Sequence, residues 1–385
     1  ITKKTSTTAT LVDASVSGTY ERLSSGFLRL TVTSARAAAD ATKSATSSTA
    51  ADYKALFPGC TKSGAACNSS TDTECLDWAG KQCATTGTEI TACSLSGAAC
   101  ITGDGCKTSG GSACSNLAHA LDVPGYVFML KPMASSGGEV IPMVATGTCP
   151  SADYVGNWLI IQDANTSANY STQGLAGTYT YTHSSTSASI GATQYMSSTT
   201  STAPGAFSLG TLTCSGGVGT YNSSGNPEMW FTSGGGAVVR VPNGGTPQGI
   251  VMVPSAALTV SDFAGEYIGL VFDEGDTVDS SGITITSGET KPVGATLAAA
   301  GTGTGAMMTD VSAGTRSTTE TATLVLSNLS PAVNGVAKMT VNGTSHVCVA
   351  AKGIGGTTKN VIFCAAPSGG GGNTKLESYL LVTKS

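Results

Sequence analysis

The feature that most constrains this chain is a step of glycine, any residue and an aromatic that opens an apolar run. It occurs at Gly18-Thr19-Tyr20, Gly156-Asn157-Trp158 and Gly265-Glu266-Tyr267. Ahead of the second and third steps stands a hairpin-like pair of apolar runs with a Gly-Gly in the connection. These pairs are Tyr126–Leu130 with Val140–Val144, and Val238–Val241 with Ile250–Val253. Val144 to Gly156 and Val253 to Gly265 are both 12 residues. A third pair, Val347–Ala350 with Val361–Cys364, carries its glycines at Gly355-Gly356. Self-similarity on this scale marks tandem structural units. Its phase is open, because an aromatic-led run, Tyr379-Leu380-Leu381-Val382, can close one unit instead of opening another.

Between these landmarks lie short runs separated by Gly, Asn and Ser: Thr178–Thr182, Ala206–Thr213, Glu228–Thr232, Ile283–Thr286, Thr321–Leu326 and Ala337–Val341. Short strands with turn signals and little helical periodicity imply an antiparallel sandwich or barrel. The expected fold is mainly β: tandem antiparallel β-barrel or sandwich units, the first with a disulfide-rich, partly helical insertion. The units are placed at 1–148, with the insertion at about 33–122, then 149–258 and 259–385. In the first, a strand-like stretch from Gly18 runs through Phe27–Val32. Helices are expected at Ala35–Ala45 and Ala50–Phe57, the latter stopped by Pro58-Gly59, with one more helical turn at Leu117–Leu121.

Twelve cysteines point to an oxidising compartment. Eight fill the insertion: Cys60, Cys67, Cys75, Cys83, Cys93, Cys100, Cys106 and Cys114. Cys149 and Cys214 bracket the body of the second unit, and Cys348 and Cys364 fall on the two arms of one hairpin. Each group is even, as internal pairing requires. The eight contain no Cys-x-x-Cys and only a lone histidine, His119, lies near, so disulfides are read in preference to zinc. The insertion has too few large apolar residues for a core, and its order is expected to come from crosslinks.

Charged residues are only 11% of the chain, against about 25% in a typical soluble domain. Its polar surface is then built from hydroxyls and backbone, as in secreted and cell-surface β proteins. The net charge of −5 offers no basic footprint for nucleic acid. No run approaches the roughly 18 apolar residues of a membrane-spanning helix. The chain begins at Ile1, as a processed mature protein or a trimmed piece does.

Gly156-Asn157-Trp158 followed by Gly177-Thr178-Tyr179 resembles the first two strands of the calycins, the lipocalin and avidin-like families. In those families the tryptophan closes the floor of an antiparallel barrel. The resemblance implies fold class only. Leu159-Ile160-Ile161 and Ile268-Gly269-Leu270 stand where avidin-like barrels carry their Asn and Ser contacts to biotin. With only Trp78, Trp158 and Trp230, a tryptophan-lined biotin pocket is not available.

Chemistry is sparse. His119, His183 and His346 fall in different units and read as ordinary surface or core residues. There is no Gly-x-Ser-x-Gly elbow and no phosphate loop around Gly234–Gly236 or Gly369–Gly372, which read as turns or linkers. The acidic stretch Asp273-Glu274-Gly275-Asp276 reads as a solvated loop, not a calcium site, since its spacing does not fit an EF-hand. No catalytic, cofactor-binding or metal-ligating residue is assigned. Trp158, Trp230 and Tyr267 are candidates for a ligand-lining or core role.

The leading expectation is a secreted or cell-surface structural or adhesive protein: a fibre, envelope or adhesin subunit. It would act through protein–protein or protein–glycan contacts with sister subunits or host and cell-surface molecules. The Thr/Ser-rich arm at residues 1–12 is a candidate for self-assembly by pairing with a neighbour's sheet edge, against a frayed terminus. The alternative is a binder of small ligands or glycans with a calycin-like pocket, and a secreted hydrolase comes third.

Overall fold

The computed structural model describes residues 3–7, 10–37, 117–130, 140–144, 147–163, 174–183, 188–195, 206–221, 228–243, 246–273, 290–311, 313–368 and 375–384. It also describes three two-residue antiparallel ladders between 61 and 99. Helix among these residues is confined to two 3-10 turns, Val260–Phe263 and Ile354–Gly356. The side chains of the eight insertion cysteines, Trp78, the helices expected at 38–45 and 50–57, the strand expected at Ile283–Thr286 and the loop at 274–276 lie outside the described residues.

An open six-stranded sheet comes first, in chain order: β1 (Lys3–Thr7), β2 (Thr10–Arg22), β3 (Leu28–Ala37), β4 (Leu117–Val123), β5 (Tyr126–Leu130) and β6 (Val140–Val144). By compactness the chain falls into two units. One comprises Ile1–Leu23, Leu28–Ala120 and Met129–Ser136, and the other Ser24–Phe27, Leu121–Phe128 and Gly137–Ser385.

In the first unit, β1 folds back on β2, with Lys3 opposite Ala14 and Thr7 opposite Thr10. The N-terminal arm is thus a strand paired within its own chain. Glu21 faces Arg29 across β2 and β3, and their side chains form an ion pair at 3.2 Å. Three expectations are corrected here. Gly18 lies late in β2, at a register shift after Ser17, and Tyr20 is 74% exposed. The first Gly-x-aromatic step therefore does not open a buried strand as the other two do. Leu117–Leu121 is strand, not helix, with Leu117 opposite Thr31 and Ala120 opposite Leu28. Pairing with β3, and the Pro124-Gly125 turn that follows with Gly125 at φ +86°, override the helix propensity of Leu-Ala-His-Ala-Leu. Likewise Ala35–Ala37 ends β3 and does not begin a helix.

The second unit contains two closed eight-stranded barrels, each an antiparallel meander in chain order. The first barrel runs β7 (Tyr154–Asp163), β8 (Ala176–His183), β9 (Ala188–Tyr195), β10 (Ala206–Ser215), β11 (Val218–Tyr221), β12 (Glu228–Phe231), β13 (Ala237–Asn243) and β14 (Thr246–Pro254). It closes where Gly156 meets Pro254 and Ile160 meets Ile250. The second runs β15 (Gly265–Asp273), β16 (Thr290–Leu297), β17 (Thr302–Asp310), β18 (Thr315–Val333), β19 (Val336–Val341), β20 (Thr344–Ala351), β21 (Val361–Ser368) and β22 (Lys375–Thr383). Tyr267 opposite Thr383 through Asp273 opposite Glu377 close it. Closure removes the unpaired backbone edges that an open sheet leaves.

The repeat phase is resolved accordingly. Val238–Val241 and Ile250–Val253 are β13 and β14, the last two strands of their barrel. Val347–Ala350 and Val361–Cys364 are β20 and β21, the sixth and seventh of theirs. The run from Tyr379 is the closing strand, β22. In a meander every pair of neighbours looks like a hairpin, so apolar runs alone do not say which pair is last.

The constant 12-residue spacing acquires a meaning. In each barrel the segment ahead of the first strand packs over the same end of the sheet. Before β15 it is the 3-10 turn Val260–Phe263, whose Phe263 is buried in the barrel core and whose carbonyl accepts the Tyr267 hydroxyl at 2.9 Å. Before β7 it is residues 147–153. Gly147 N–H donates to Phe231 O at 2.8 Å, Cys149 is bonded to Cys214, and Pro150 O accepts from Tyr181 at 3.3 Å. Asp153 then accepts from the His183 backbone N–H at 2.7 Å.

Cys348 and Cys364 stand directly opposite each other across β20 and β21 and form the second disulfide among the described residues, fully buried in the second barrel. Within this unit the barrels touch through β7 and the outward faces of β20, β21 and β22. The Ser378 hydroxyl donates to Ile161 O at 2.8 Å, and the Ser255 hydroxyl to Asn334 O at 3.1 Å.

Candidate functional site

The three aromatic candidates lie on different surfaces. Trp158 is 4% exposed on β7 and shares a face with Tyr154 and Gly156. That face looks inward, because Tyr154 stacks on Tyr181 and a side chain at Gly156 would strike the Tyr179 ring. Tyr267 belongs to the core of the second barrel. Trp230 alternates with the fully buried Met229 and nearly buried Phe231, so it points to the outer face of the first barrel. No single pocket is lined by all three.

The first barrel's interior carries a feature the sequence leaves unmarked, a cluster of tyrosines. The Tyr179 hydroxyl donates to that of Tyr154 at 3.2 Å, and Tyr221 reaches the sulfur of Met229 at 3.5 Å. Tyr181 meets Phe231 edge to face at 5.7 Å. Burial pushes the Tyr154 phenol up to about 12, and those of Tyr126, Tyr179 and Tyr221 are raised by the same cause. The Tyr126 hydroxyl donates to Met252 O beside Gly236, where any side chain would collide with it. The only sequence signal for the cluster is the period-2 pair Tyr179 and Tyr181.

The interior of the second barrel holds a buried polar pair. His346 Nε2 lies 3.1 Å from Glu377 Oε1, with both residues fully buried. Nδ1 is 3.3 Å from Thr344 O, and the ring meets Tyr379 edge to face at 5.2 Å. His183, by contrast, is exposed and stacks on Tyr181 at 6.5 Å, while His119 sits on β4.

A cleft of 380 Å³ opens outside the barrels, where the turn after β12 faces the loop after β20. Its walls are Ser233, Gly234 and Gly235 on one side and Lys352, Ile354 and Gly355 on the other. Gly234–Gly236, read as a turn in the sequence, do lie in one, and Gly369–Gly372 lie outside the described residues. Gly353, Gly355 and Gly356 all have φ between +64° and +74°, a region other residues avoid. A side chain at Gly234 would collide with Pro124 O. The loop is clamped from behind. Asn360 donates to Asp262 O at 2.9 Å and accepts from Gly353 N–H at 3.3 Å. Lys352 donates to Asp262 at 2.9 Å, and this bond, with those from Thr259, holds the Asp262 carboxyl down at about 2.

Chemically the cleft offers backbone groups, one tethered ammonium and a small apolar patch from Pro254 and Ala256. Neither histidine nor cysteine lines it. No family model, no curated protein and no solved structure matches the chain.

Proposed function

We propose that the chain is a secreted or cell-surface structural or adhesive protein, a fibre, envelope or adhesin subunit acting through protein–protein or protein–glycan contacts. The observation that carries this reading is that the second barrel fills its interior with its own side chains and that each barrel covers one end with its own chain. Interaction then falls to outer surfaces, among them the glycine-walled cleft. The two disulfides fit an oxidising compartment, and no helix among the described residues is long and apolar enough to cross a membrane. The up-and-down order of eight strands supports a calycin-like architecture. Placement of Trp158, Tyr267 and Trp230 on separate surfaces weighs against a shared ligand pocket.

Self-assembly through residues 1–12 belongs to the same proposal, because β1 is the outer strand of the open sheet. Lys3 and Lys4 lie on that edge, a composition that restrains indiscriminate pairing.

The test is size-exclusion chromatography with light scattering, electron microscopy of the same fractions, and binding of the full chain to a printed glycan array. Assemblies that lose mass on deletion of residues 1–12, or retention on defined glycans, support the reading. A monomer that ignores the array and carries a small molecule in native mass spectrometry contradicts it.

A further inference from the structure

The two disulfides of the second unit differ in placement. Cys348 and Cys364 are 0% exposed inside the second barrel. Cys149 and Cys214 are both partly exposed, and they sit where residues 147–153 cross the end of the first barrel. Thiol–disulfide exchange needs a thiolate to reach a sulfur, so access separates a labile bond from an inert one.

The anchors of this segment are few. Besides the disulfide they are the Gly147 N–H bond to Phe231, the Tyr181 hydroxyl on Pro150 and the Asp153 carboxylate on His183 N–H. Thr148, Ser151, Ala152 and Asp153 are exposed, so little apolar burial holds the strap down. Beneath it lie the phenols of Tyr154 and Tyr181, 5.1 Å apart and stacked. The corresponding segment of the second barrel is held by a buried phenylalanine and has no cystine of its own.

We propose that Cys149–Cys214 is a thiol-exchange site and that its reduction by a dithiol, a small molecule or a dithiol oxidoreductase, releases the strap and uncovers the tyrosine-lined end of the first barrel. One thiolate of the dithiol attacks a sulfur of the cystine, forms a mixed disulfide and expels the other cysteine as thiolate. The second thiol of the reductant then displaces the first cysteine. Two electrons and two protons pass to Cys149 and Cys214, and the reductant leaves as its own disulfide. The second barrel takes no part.

The experiment treats the native full chain with dithiothreitol, alkylates the free thiols and maps the labelled peptides. Tyrosine nitration by tetranitromethane is followed in parallel. Labelling of Cys149 and Cys214 on the order of tenfold above Cys348 and Cys364 is expected, with a rise of similar size in nitration of Tyr154 and Tyr181 and none at Tyr267. The C149S/C214S double variant, untreated, should show the same nitration, which separates strap release from reduction of the insertion cysteines. If that variant does not fold, the wild-type peptide map still decides. Equal labelling of both pairs, or selective reduction with tyrosine reactivity unchanged, would overturn the proposal.

Discussion

The Tyr267 hydroxyl donates to the carbonyl of Phe263 at 2.9 Å, which ties the first strand of the second barrel to the turn that plugs it. The two residues are four apart, so the plug and the strand it serves form one local unit. Phe263 is 2% exposed and packs with Leu297, Leu324 and Leu326 on the inward faces of two strands.

Truncating the plug leaves a cavity that the closed barrel cannot collapse around. Phe263→Ala is expected to lower stability by about 3–5 kcal/mol. Tyr267→Phe removes only the hydrogen bond and should cost about 1 kcal/mol. Urea unfolding of the two variants checks both the order and the gap.

Asp262 gives the loop beside the cleft an acid limit. Its carboxyl is held at about 2, first by the Lys352 ammonium and then by Thr259, against an ordinary value of 3.8. A lowered carboxyl contributes stability above its unfolded pKa and loses it as pH falls through the folded one. Loop order should therefore persist to about pH 4 and fail between there and about 2. Lys352→Ala should move the midpoint upward in a carbon-detected NMR titration of the Asp262 side chain. An unmoved midpoint would remove Lys352 as the cause.

The tyrosine cluster sets an alkaline limit of opposite sign. Burial holds Tyr154 at about 12 and raises Tyr126, Tyr179 and Tyr221 as well. Unfolded tyrosines ionise near pH 10. Stability should hold below about pH 10 and decline as pH rises toward 12, because only the unfolded chain releases those protons. Phenolate absorbance is expected to rise late and together with loss of the fold, not in separate steps.

Asn157 is fully buried on β7 with both side-chain polar atoms lacking a hydrogen-bond partner among the described residues. It faces Gly335, where any side chain would collide with its amide. Replacing an unsatisfied buried amide by a hydrocarbon of similar volume removes a desolvation cost. Asn157→Leu is expected to raise stability by about 1–2 kcal/mol, and Gly335→Ala to lower it. Thermal unfolding of both variants tests the pair.

Much of the second unit was legible in the sequence because its closing strands are apolar on both faces. The steps at Gly156 and Gly265 do open barrels, and Cys348 with Cys364 could be paired from their hairpin. Other strands carried no such signal. Thr302–Asp310 and Ala188–Tyr195 are rich in Gly, Thr, Ala and Ser and make no long apolar run. Leu117–Leu121 read as helix because its partner strand, β3, lies more than 80 residues away in the chain. The cleft was not legible at all. Gly234-Gly235 and Gly353–Gly356 each announce a turn, and nothing local says that the two turns face each other.

Closure of the barrels is the claim on which the rest depends, since it removes their edges and leaves contact to the outer surfaces. Hydrogen–deuterium exchange read by mass spectrometry tests it at the seams. Amides of Gly265–Asp273 and Lys375–Thr383 should be as protected as those of Val336–Val341 in the middle of the sheet, and Tyr154–Asp163 with Thr246–Pro254 should behave likewise. Fast exchange along either seam, at the rate of exposed edge strands, would show an open sheet and contradict the account.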